Sequence, residues 1–188
     1  MIHDLDKTVE VLLKQELIDF KDLEISFATP DNEFAPNGFA VNLFLYDVRE
    51  NRELRSNELY VERQLGGAIT KRHSPVRVDC SYLITAHAKG QNPQGEHRLL
   101  GAVMKALLRY PTLPPEVLQG ELREKKTAEQ DFPLPTAILQ PGRLQSVGEF
   151  WQAMQGKPRA ALNYTITISV AAHEPVTAGT PVGVRSRT

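Results

Sequence analysis

The 188-residue chain carries a single cysteine, Cys80, which excludes an internal disulfide and any cysteine-rich zinc site. Synthesis in a reducing compartment fits that usage. An excess of either charge is also missing: 22 basic residues stand against 23 acidic ones, for a net charge of -1. No global field therefore draws the protein to nucleic acid, to an acidic substrate or to an anionic membrane. The opening MIHDLDKTVEVLLKQEL has acids near its start and no uninterrupted apolar run, so it reads as neither a secretory signal nor a membrane span. The expectation is a protein made and kept in the cytoplasm unless something larger carries it out, with no direct membrane insertion.

The motifs of the common chemistries are absent too. Histidines at His3, His73, His87, His97 and His173 include no pair at the i, i+4 spacing that sets two imidazoles on one metal. A G-x-S-x-G elbow is missing, and Ser81 falls in mid-strand, where a nucleophile is not presented. The glycines and lysine of GGAITKRHS fit neither a phosphate loop nor a dinucleotide fingerprint, so Gly66 and Gly67 read as turn residues. Cys80 lies on the apolar side of a strand pattern, which predicts a buried, inert thiol. These absences predict no catalytic residue, no cofactor and no metal, hence no enzyme.

What the sequence does have is pattern. Leu162–Val170 alternates throughout, with Leu162, Tyr164, Ile166, Ile168 and Val170 on one side and Asn163, Thr165, Thr167 and Ser169 on the other. The second side is polar but uncharged, whereas a solvated strand face usually carries Lys or Glu. Leu5, Val9, Leu12, Leu13 and Leu17 predict an amphipathic helix over 4–17 with Asp4 as its N-cap. A short strand over 23–27, a loop over 29–38 and a central strand over 39–48 follow, the last covered on both faces. Strand 76–88 places Val78, Cys80, Tyr82, Ile84 and Ala86 opposite Arg77, Asp79, Ser81 and Thr85. Asn92 and Pro93 start a second helix, HRLLGAVMKALLRY, which Pro111 stops. Residues 111–141 hold six of the thirteen prolines and read as a surface arm with short pieces of structure. Ser146 with Glu149 forms a capping box for a third helix through Trp151 and Met154.

A chain of this length with 41% hydrophobic residues buries about 70% of its unfolded surface as one domain. The prediction is an α+β fold with a mixed, mainly antiparallel sheet of about four strands and helices packed on it. One domain spans 1–172, and the small, Pro- and Gly-rich residues 173–188 form a flexible or partner-ordered tail. Residues 47–63 carry charges of both signs and continue into the basic Lys71 and Arg72, which predicts a long hairpin or loop excursion. Its arginines are interleaved with acids and lack aromatic stacking partners, so nucleic acid is not the expected partner. Mixed charge suits a protein surface, with a merely solvated hairpin as the plain alternative.

Four blocks, LFLYDVRENRELRSN, CSYLITAHAKG, EHRLLGAVMKALLRYPTLP and FWQAMQGKPRAALNYTITISV, resemble the cap, or tail terminator, proteins of contractile injection systems. The resemblance runs from the first helix to the last strand. It implies a phage tail-terminator-like fold and a structural role: closing the baseplate-distal end of an inner tube and sheath as a homohexameric ring. The implied partners are further copies of the chain and the tube and sheath proteins. Some relatives carry an additional C-terminal domain. An adaptor or baseplate component of the same particle is the alternative. On this reading the candidate interface comprises Arg49, Arg52, Arg55, Arg63, Lys71 and Arg72 of the charged excursion. The uncharged strand face contributes Asn163, Thr165, Thr167 and Ser169, covered by another chain or by a neighbouring element.

Overall fold

A computed structural model of the chain describes residues 1–30, 36–63, 69–90, 92–124, 133–140, 146–174 and 176–178. Leucine spacing produces the first helix, α1, Ile2–Glu16, with Leu5, Val9, Leu12 and Leu13 buried as expected. It begins before Asp4, which is therefore not its N-cap; that position belongs to Met1. Asp4 instead sits in the first turn, where its carboxylate takes the Met1 amine at 3.0 Å and the Glu121 backbone N–H at 3.4 Å. A negative charge there also faces the positive end of the helix dipole. These contacts hold the Asp4 carboxyl below its ordinary pKa, the Met1 amine first among them.

Five strands form the main sheet. They are β1 (Glu24–Ser26), β2 (Ala40–Glu50), β5 (Val76–His87), β6 (Thr136–Ile138) and β7 (Ala161–Val170), in the order β1-β2-β5-β7-β6. Only the β1–β2 pair is parallel. The sheet is thus mixed and mainly antiparallel, with one strand more than the pattern predicts; β6 is three residues long and has no periodicity to betray it. Strands β3 (Leu59–Arg63), β4 (Ile69–His73) and β8 (Val176–Ala178) make a second sheet in the order β3-β4-β8. The expected excursion is therefore a hairpin with its own sheet. The beginning of the predicted tail pairs with β4, while residues 179–188 lie outside the described ones.

One face of the main sheet is apolar and carries the core. Leu43, Cys80, Tyr82, Ile84, Tyr164, Ile166 and Ile168 lie there, fully or almost fully buried. Against them pack α1 and α2, Pro93–Leu108, which brings Leu99, Val103 and Leu107. Each such side chain contributes roughly 1.5–3 kcal/mol by leaving water. Helix α2 starts as the sequence implies, Asn92 Oδ1 accepting from the Gly95 N–H at 3.0 Å with Pro93 in the first position. The chain after Pro111 is not a simple surface arm. Leu113 and Val117 are buried, and the turns at Pro115–Val117 and Gly120–Leu122 pack on α1, where the Gln119 N–H donates to Thr8 Oγ1 at 3.0 Å. Apolar residues in the proline-rich stretch supply that attachment.

Candidate partner-binding face

The opposite face of the main sheet answers what lies over the uncharged side of β7. Register sets Arg77 beside Ser169, Asp79 beside Thr167, Ser81 beside Thr165 and Leu83 beside Asn163. On the other flank of β5, Arg49 pairs with Asp79 and Asp47 with Ser81, after a register shift between Leu45 and Asp47. Directly opposed side chains in a sheet share a face, so these residues form continuous cross-strand rows. Arg49, Asp79 and Thr167 make one row; Asp47, Ser81 and Thr165 make the next.

The rows are hydrogen bonded. Thr167 Oγ1 donates to Asp79 Oδ1 at 2.7 Å, and Asn51 Nδ2 donates to the same carboxylate at 3.1 and 3.3 Å. Ser81 and Thr165 hydroxyls lie 3.0 Å apart, and Tyr46 donates to Asn163 Oδ1 at 3.1 Å. Arg77 donates to Ser169 Oγ and to the Pro133 carbonyl, each at 3.0 Å. Arg49 makes a two-pronged contact with Asp47 at 2.5 and 2.8 Å. Burial pushes the Arg77 guanidinium below its ordinary pKa, opposed by the Asp79 charge, yet an arginine stays charged. The Asp47 hydrogen bond raises that of Arg49.

One end of this face is covered from within the chain. Helix α3, Val147–Ala153, is capped by Ser146 Oγ, which accepts from the Glu149 N–H at 3.2 Å, the expected half of a capping box. It sets the Phe150 ring 6.0 Å from that of Phe44 and buries Trp151. At the other end the rows stay partly exposed and open into a groove of about 640 Å³ lined by residues 47–53 and Asp79. The predicted site residues therefore divide. Arg49 and Arg52 line the groove beside the row that holds Thr167. Arg55 follows them, exposed and paired with Glu50 at 3.0 Å.

Lys71 and Arg72 belong instead to the small sheet. Lys71 is exposed and stands in register between Val61 and Val176, while Arg72 stands opposite Tyr60. Arg63 ends β3, and its side chain lies outside the described ones. Asp79, which the alternation VRVDCSYL puts on the polar side of its strand, and Asn51 form the junction of the polar rows, and neither is among the residues expected at the interface. Leu59 and Val61 of the hairpin and Val176 of β8 are 52%, 59% and 62% exposed, an apolar surface that the surrounding charges hide in the sequence.

Among the described residues no group of three or more His, Cys, Asp or Glu is placed to hold a metal ion, and no helix is long and apolar enough to cross a membrane. Cys80 is buried, and that burial pushes its thiol up to about 11. The face is thus a surface of paired polar groups, carried on an α+β fold that is shared with terminators of contractile injection systems. Two solved structures carry the likeness over the whole chain. One is the sheath/tube terminator, in the extended state, of the PVC extracellular contractile injection system, at 27% identity and a TM-score of 0.72. The other is the tube terminating cap of the anti-feeding prophage, at 25% identity and a TM-score of 0.67. The chain spans 62% and 61% of the length of those two proteins. It belongs to the Pvc16 N-terminal domain family, which it matches over residues 4–184. No curated protein matches it.

Proposed function

We propose that this protein is a structural cap, closing the baseplate-distal end of the inner tube and contractile sheath of a contractile injection system as a homohexameric ring. The reading is carried by the likeness to a sheath/tube terminator along 100% of the chain. The open end of the polar face supports it. Its groups are already hydrogen bonded, so a second surface can cover them without stranding an unpaired charge. In this reading the groove at Arg49 and Arg52, with Arg55 beside it, docks on the last tube or sheath ring. The part of the predicted tail beyond β8 takes part in the same contact, and assembly takes place in the cytoplasm without nucleic acid or cofactor.

Deletion of the gene in the producing cell, followed by electron microscopy of the particles, tests this. Overlong, variable or distally frayed sheaths are expected. Particles of uniform, unchanged length with a normal cap would refute it and favour an adaptor or baseplate component of the same particle.

A further inference from the structure

One pair of side chains serves neither the core nor the polar face. His73 ends β4, and His173 lies 100 residues later in the sequence, in the link from β7 to β8. Their rings come together with centroids 4.8 Å apart and planes inclined at 48°. Both residues are exposed. Two imidazoles bound through nitrogen to one ion at about 2.0–2.1 Å hold their ring centres about 4.5–5 Å apart, from that bond length and the ring size. The observed separation meets that requirement.

The geometry points to a metal site: His73 and His173 together ligate one late first-row divalent ion, with water in the remaining positions. Imidazole suits Cu²⁺, Ni²⁺ and Zn²⁺, and the order of divalent affinities puts Cu²⁺ first. Two protein ligands rather than three or four make the site weak and exchangeable. The charged groups around it oppose one another: Lys71, two residues back along β4, disfavours a cation, and Glu174, next to His173, favours it. Leu59, in register with His73, contributes no charge. A bound ion ties the end of β4 to the chain entering β8 and so fastens the small sheet where the C-terminal segment joins it. Sequence spacing could not show the pair, because only the fold joins residues 100 positions apart.

The test is titration of the full chain, free of any histidine tag, with CuCl₂ and with ZnCl₂ at pH 7.5, followed by calorimetry and by the histidine ring signals in NMR. One equivalent is expected to bind, with Cu²⁺ tighter than Zn²⁺. His73→Ala and His173→Ala each lower the affinity at least about tenfold, the lower end of what loss of an outer-shell partner costs at metal sites. His97→Ala, on α2, leaves it unchanged. Absence of binding overturns the proposal, as does binding that survives either substitution or depends on only one of the two histidines. Should a variant fail to fold, selective broadening of two ring signals by substoichiometric Cu²⁺ in the unaltered chain decides the matter: two supports the pair, and any other number refutes it.

Discussion

Replacing Thr167 by Val removes one hydroxyl and keeps the side chain's shape, at a position only 6% exposed. The lost bond is a 2.7 Å donation to the Asp79 carboxylate. A hydrogen bond to a charged group contributes about 1.5–3 kcal/mol net, against about 1 kcal/mol for a neutral one. Asn51 still donates to Asp79, so the carboxylate is not stranded, and we expect a loss of about 2 kcal/mol. In a chain of this size that lowers the melting temperature by about 4–8 °C. With a slope of about 2 kcal/mol/M, it moves the urea midpoint by about 1 M without changing the slope. Thr165→Val breaks only the neutral contact with Ser81 and serves as the internal scale, at about half the loss. A double-mutant cycle with Asn51→Ala then measures the coupling through Asp79. A Thr167→Val variant within about 0.5 kcal/mol of the unaltered protein, or no weaker than Thr165→Val, would refute the assignment of Asp79 as the junction of the network.

Three further perturbations test other parts of the structure. His87 is 6% exposed, its Nε2 lies 3.0 Å from Thr85 Oγ1, and burial, then the Arg159 charge, push its pKa down to about 4, with Glu96 opposing. The unfolded imidazole takes its proton near pH 6.5 and the folded one only near pH 4. Stability therefore falls as pH drops through that window, by up to about 3 kcal/mol, and levels off below it. Urea unfolding of His87→Asn should lack that contribution, and a pH dependence identical to the unaltered chain would dismiss it. Gly120 has φ +54°, and a Cβ there would come within 2.0 Å of Asp4 Oδ1. Gly120→Ala should cost about 1–3 kcal/mol, and an unshifted thermal melt would show that the turn is not held against α1. Charge reversal at exposed Arg52 and Arg55 should leave stability within about 1 kcal/mol, since it breaks only an exposed ion pair. Electron microscopy of the resulting particles should show loss of length control; normal caps would remove the groove from the interface.

Much of the frame is legible in the residues themselves. The leucines of α1, the Asn92–Pro93 start of α2, Ser146 before α3 and the alternation of β7 each state their element locally, because periodicity and capping are local physics. The parallel pairing of β1 with β2 is not local, and three-residue strands such as β6 and β8 are too short to show a period. Asp4 misleads because an acid near a helix start serves equally well as a cap or as a first-turn residue with a tertiary partner. The uncharged side of β7 is legible as a pattern, but the partners of its hydroxyls need register. Ser81 and Asp79 meet Thr165 and Thr167 only once β5 is laid beside β7, and α3 covers the Phe44 end only in three dimensions. The hairpin's charges masked the apolar Leu59 and Val61 between them. The sequence groups Lys71 and Arg72 with Arg49 and Arg52 in one basic cluster, whereas in the fold Lys71 and Arg72 lie on β4 of the small sheet, Arg49 lies near the end of β2 in the main sheet and Arg52 begins the turn that follows it.

The polar rows also bear on how such a surface behaves in salt. Arg49 is matched by Asp47, and Arg77 and Asp79 offset each other within the same strand. Counter-charges this close leave little field beyond a Debye length of about 8 Å in physiological salt. In the proposed docking, a partner arriving at that face would be drawn by shape and close hydrogen bonding rather than steered from a distance, and the contact would tolerate wide changes in ionic strength.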